Sequence, residues 1–108
     1  MERYRAWLLA AAGLGILAAR PALADAIDGH WCHPDGRRME INGPTIVTPA
    51  GTRTTGHYGR HDFNYAVPAG DPGAGTKIDM ILMGEMAVRV RAGNGPEETW
   101  NRCAPPTS

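Results

Sequence analysis

The sequence predicts an all-β domain: a small antiparallel β-barrel of about eight short strands, closed by one disulfide and preceded by a signal peptide, with a β-sandwich as the alternative architecture. Three observations lead there. Turn residues punctuate the chain at short intervals, as in Pro34-Asp35-Gly36, Asn42-Gly43-Pro44, Pro49-Ala50-Gly51 and Gly93-Asn94-Gly95-Pro96, and leave no gap for an amphipathic helix. The segments between them alternate apolar and polar residues with a period of two. The two cysteines, Cys32 and Cys103, stand near the two ends of this region.

The chain opens on a different pattern. Arg3 and Arg5 precede an unbroken apolar run from Ala6 to Ala19, followed by Pro21 and the small residues of Ala22-Leu23-Ala24. A charged start, an apolar stretch and an A-x-A site make a secretory leader. The run falls short of the ~20 residues a membrane-crossing helix needs. Residues 1–24 are therefore expected to be a signal peptide cut after Ala24, with a second A-x-A site at Ala24-Asp25-Ala26. The expected location is periplasmic or secreted, with no span of the membrane after processing. Residues 25–104 form the expected domain and 105–108, with Pro105-Pro106, a disordered tail.

Charge excludes one class of partner. The full chain carries 11 Lys and Arg against 11 Asp and Glu. Removing the leader takes away Arg3, Arg5, Arg20 and Glu2 and leaves a slight negative excess. No basic patch remains to draw in nucleic acid by counterion release.

The strands follow in order: Gly29–His33, Arg38–Ile41, Thr45–Thr48, Arg53–Tyr58, His61–Val67, Lys77–Leu82, Ala87–Arg91 and Glu98–Cys103. Met39 and Ile41 face one way, Arg38 and Glu40 the other. Phe63, Tyr65 and Val67 share a face, as do Ile78, Met80 and Leu82, and Val88 and Val90. One face is thus buried and the other wet. Met80, Met83 and Met86 are expected in a soft core. The Pro68–Gly75 stretch is expected to be a mobile loop at one end.

Parity links the cysteines to the architecture. Trp31 and Cys32 are adjacent, and Trp100 and Cys103 are three apart, so each pair points to opposite faces of its strand. With both Trp residues inside, both Cys residues lie outside, where they can bond and tie the first strand to the last. In an oxidising compartment that is the simplest reading of two cysteines. The alternatives are free thiols or metal-binding thiolates, and two Cys fall short of a structural zinc set.

At Gly29-His30-Trp31-Cys32 and Trp100-Asn101-Arg102-Cys103, with Thr48-Pro49-Ala50-Gly51 and the Gly56 to Phe63 stretch between, the chain resembles small exported bacterial proteins of unknown function. In those, an early G-x-W-C and a late W-x-R-C bracket a Gly- and Pro-punctuated β domain. In outline it is also similar to lipocalin-like small barrels. The resemblance implies architecture and carries no activity with it.

No catalytic motif stands out, and an enzyme is not expected. The sole serine is Ser108, and no G-x-S-x-G or P-loop pattern occurs. Nor is a cofactor or metal expected. His30 and His33 are three apart and point to opposite sides of a strand. His57 and His61, four apart on a straight strand, would sit ~13 Å from each other. The densest group of aromatic, cationic and imidazole side chains is His57, Tyr58, Arg60 and His61, which makes that stretch the candidate binding surface. The expected role is binding or structural, in the cell envelope, toward an unidentified small ligand or envelope protein. A periplasmic metal-binding protein and an inhibitor of secreted proteases are the alternatives.

Overall fold

A computed structural model describes residues 26–104 of the chain. The leader expected at 1–24 and the tail at 105–108 lie outside the described residues. The described part is all β: β1 (Gly29–Cys32), β2 (Arg38–Asn42), β3 (Thr45–Val47), β4 (Arg53–Thr55), β5 (His57–Gly59), β6 (Asp62–Ala66), β7 (Lys77–Met83), β8 (Ala87–Ala92) and β9 (Glu97–Arg102). They form one antiparallel sheet in the order β4-β3-β2-β1-β9-β8-β7-β6-β5.

That order curls into a nearly closed barrel, because the two outermost strands are halves of one bent segment. Only Gly56 separates β4 from β5. Thr55 pairs with Thr45, and the Gly56 N–H then donates to the Pro44 carbonyl at 2.9 Å. One residue later the partner has changed, and His57 pairs with Asn64 of β6. The sequence reading had one strand here and the structure has two. Glycine is the physical reason: a Cβ on Gly56 would lie 2.4 Å from the Asn64 carbonyl oxygen and 2.7 Å from the Phe63 ring. A glycine lets the backbone approach that closely, and the barrel wraps round at this point rather than ending in a sandwich.

Period-two alternation fills the interior. Trp31, Met39, Ile41, Ile46, Phe63, Tyr65, Met80, Val88, Val90 and Trp100 are buried and form one core with Ile27. Each large apolar side chain so buried contributes on the order of 1.5–3 kcal/mol. Outward positions carry ion pairs such as Arg91–Glu97 at 3.3 Å, which are solvated and weak. Two of the expected core methionines are not there. Met83 and Met86 are exposed, as is Ile81. Met83 follows Ile81 on the outer face of β7 while Met80 faces inward, and Met86 sits in the turn before β8.

Cys32 and Cys103 are bonded, with Cα atoms 5.0 Å apart. Cys32 pairs with Asn101, and the Cys103 N–H donates to the His30 carbonyl at 3.0 Å. The bridge therefore runs diagonally across the outside of the β1–β9 pair, while Trp31 and Trp100 stay inside.

Alternate turns gather at the two ends. One end, the base, collects residues 26–28 and the β2–β3, β5–β6 and β7–β8 turns. The other, the mouth, collects the β1–β2, β3–β4 and β8–β9 turns and the long 67–76 connection. That connection is a succession of hydrogen-bonded turns. Asp71 N–H donates to Pro68, Ala74 N–H to Asp71 and Thr76 N–H to Gly73.

Candidate functional site

The base is filled. Ile27 is fully buried, and its carbonyl accepts from Trp31 Nε1 at 2.9 Å. Arg102 pairs with Trp31 across β9 and β1 and so points inward. Its guanidinium stacks on the Trp31 ring at 4.3 Å. It donates to three carbonyls: Ala26 at 2.8 Å, Asp28 at 2.6 Å and Glu85 at 2.7 Å. One side chain thereby joins the N-terminal segment, the β7–β8 turn and the last strand. Burial pulls its pKa down, against the opposing charges of Asp28 and Glu85, yet arginine keeps its charge at any physiological pH. Gly29 makes the room. It sits at φ +129°, and a Cβ there would come 2.5 Å from Arg102 Nη1.

The G-x-W-C and W-x-R-C sequences thus acquire a joint physical account. Gly29 clears space for Arg102, Arg102 covers Trp31, and the two cysteines bond outside. The role of Arg102 was not legible beforehand; its only signal was strand parity, which places it opposite the Cys side.

The expected binding surface lies at this base end. Tyr58 donates its hydroxyl to Asp28 Oδ1, whose other oxygen accepts from the Gly43 N–H at 2.7 Å. The hydrogen bond to Asp28 raises the Tyr58 pKa. Arg60 and His61 form the two-residue turn between β5 and β6, and the Arg60 carbonyl accepts from Ile27 N–H at 2.8 Å. His57 is exposed and opposite Asn64, so the register does not set it against His61. None of the four lines the cavities described next.

The mouth is open. Two adjoining cavities of about 320 and 360 Å³ share Arg37, Pro49, Tyr65 and Ile78 as walls. Met39, Val90 and Trp100 add apolar surface to one, Val67 and Pro72 to the other. Arg37 lies over the Trp100 ring at 5.0 Å, as Arg102 does over Trp31. Its donors go to carboxylates: Nε to Asp35 at 2.8 Å and Nη2 to Glu98 at 3.1 Å. Partial burial opposes the Arg37 charge, but the bonds to Glu98 and Asp35 outweigh it and raise its pKa. His33 packs edge-on to Trp100 at 5.3 Å.

Across the mouth, Asp71 is held by two hydroxyls, Thr48 Oγ1 at 2.7 Å and Thr52 Oγ1 at 2.6 Å. This ties the 67–76 connection to the β3–β4 turn and gives buried Thr48 its acceptor. One buried side-chain donor is left over. Trp100 Nε1–H is buried and has no acceptor among the described residues. Tyr65, walled in by both cavities, is held protonated by burial and by nearby Asp71, which push its pKa up to about 12.

No protein-family model, curated protein or solved structure matches this chain.

Proposed function

We propose that the chain is an exported, non-enzymatic binding protein that takes a small, largely apolar ligand in the mouth of its barrel. The observation that carries this is the asymmetry of the two ends. The base is plugged by Ile27 and Arg102, whereas the mouth keeps adjoining apolar cavities of about 320 and 360 Å³. Volumes of that size suit small molecules, and pockets with apolar walls and few polar groups are the usual ligand sites. The leader pattern and the long-range disulfide support an extracytoplasmic location.

The test is a thermal-shift measurement on the oxidised protein, with 2-ethylnaphthalene as an apolar probe. A ligand at 100 times its Kd adds about 2.7 kcal/mol, so Tm should rise by on the order of 10 °C for a domain this small. Ala92 is an exposed part of the mouth wall. Ala92→Trp should fill the mouth and abolish the shift. A shift that survives in that variant would place binding elsewhere.

A further inference from the structure

Resting on the mouth as the binding site, we propose that it selects cationic ligands, a primary ammonium on an apolar body, with the Asp71 carboxylate as the counter-charge.

The carboxylate is placed for this. Asp71 is half-buried and lines the second cavity together with Thr48, whose hydroxyl donates to it at 2.7 Å. The Thr52 hydroxyl donates to its other oxygen at 2.6 Å. Both partners are neutral, so they fix the direction of the carboxylate without cancelling its charge. Each carboxylate oxygen keeps a second lone pair and can accept once more. Tyr65, on the wall of both cavities, has its pKa raised first by burial and then by the Asp71 charge, which sets that carboxylate near the inner wall. Pro49, Val67, Pro72 and Ile78 supply the apolar surface of the same cavity. A carboxylate partly removed from water gains most from a charged donor.

The other charges of the mouth point the same way. Arg37 is the cation of these walls, and its donors are bonded to Asp35 and Glu98. Two carboxylates thus share one guanidinium, and Asp71 adds a further negative charge to the walls. A ligand anion would have to draw Arg37 away from Asp35 and Glu98, and Asp71 would repel it. A ligand ammonium need break no bond: it donates to the Asp71 oxygens while both threonine hydroxyls stay in place.

Four naphthalenes of similar shape separate these cases: 2-naphthylmethylammonium, 2-naphthylmethanol, 2-ethylnaphthalene and 2-naphthoate. The ammonium should bind about tenfold more tightly than the hydrocarbon, the gain expected of a charge-assisted hydrogen bond, with the alcohol between them and the naphthoate weakest. Asp71→Asn removes the charge and still offers each threonine hydroxyl a partner. It should bring the ammonium to within about twofold of the alcohol and leave hydrocarbon affinity within about twofold of wild type. In the wild type, the ¹³C resonance of the Asp71 carboxyl should move with the ammonium and not with the hydrocarbon, which decides the matter if Asp71→Asn does not fold. Hydrocarbon or naphthoate binding as tight as that of the ammonium, a preference for the ammonium that survives in Asp71→Asn, or an unmoved Asp71 carboxyl would overturn this selectivity and leave the mouth a binding site. Failure of all four probes to bind would overturn the proposed function itself.

Discussion

The barrel uses the same pair of residues at its two ends and finishes them differently. At the base, Arg102 lies on Trp31, and every donor involved reaches a backbone carbonyl. At the mouth, Arg37 lies on Trp100, its donors reach exposed carboxylates, and the indole N–H reaches nothing. A guanidinium that satisfies part-buried carbonyls is structural, because removing it leaves those acceptors short of partners. A guanidinium held by surface carboxylates contributes little to stability and orders a rim. Stability is thus concentrated at one end, and the open apolar cavities are left at the other.

What the two ends share is the β1–β9 seam, and breaking it should have the largest effect. Replacing Cys32 and Cys103 by Ser opens a loop spanning 71 residues in sequence. The chain-entropy model gives a loss of about 4 kcal/mol, much of what a domain this small has. Chemical denaturation of the double variant checks it; stability equal to wild type would show the seam holds without its bond.

The contrast between the arginines comes next. Arg102→Met should cost about 1–3 kcal/mol, since it removes the bonds to the part-buried carbonyls of Asp28 and Ala26. Arg37→Met should cost less than about 1 kcal/mol. Equal losses in urea titrations would erase the distinction between the two ends. Gly29→Ala tests the same plug from the other side. A side chain at φ +129° is strained, and its Cβ would displace Arg102 Nη1, for a loss on the order of 1–3 kcal/mol.

How much of this was legible in the sequence divides along the same line. Alternation marked Met39, Ile41, Phe63, Tyr65, Met80, Val88 and Val90 as core, and strand parity placed the Trp residues inside and the Cys residues bonded outside. Those are local, period-two properties of a strand. Met83 was misread because its hydrophobicity was weighed above its parity. The split at Gly56 depends on which strand sits across from it, a long-range fact. The mouth cavities were not legible for a similar reason: their walls come from Arg37, Pro49, Tyr65, Ile78 and Trp100, which no short stretch brings together. His57, Tyr58, Arg60 and His61 drew notice by crowding in sequence, and the structure places them at the base, where Tyr58 bonds Asp28 and the Arg60 carbonyl accepts from Ile27 N–H.

The two perturbed tyrosines offer a smaller contrast, at high pH. Both are raised above their ordinary value of 10, Tyr65 at the mouth chiefly by burial and Tyr58 at the base chiefly by its bond to Asp28. Each therefore contributes stability that is whole below about pH 10 and is lost as pH climbs through the folded value, about 12 for Tyr65. Spectroscopic titration of the phenols should show Asp28→Asn lowering Tyr58 and leaving Tyr65 in place. Movement of both together would mean the ends are coupled.

The smallest effect lies at the acid side of the mouth. Asp35 is held below its ordinary value of 3.8, first by the Arg37 backbone N–H and then by the Arg37 guanidinium. A lowered carboxyl contributes stability that is present above its unfolded value and is lost as pH falls through the lower folded value. The window is therefore below about pH 4, and the carboxylate is so exposed that only a slight change in Tm should accompany it. The two causes can be separated. Arg37→Ala removes the guanidinium and keeps the backbone N–H, so the Asp35 shift, followed by NMR, should shrink and not vanish. A complete return to 3.8 would show that the side chain alone holds the β1–β2 turn, and that the rim over Trp100 is ordered by charge instead of by the backbone.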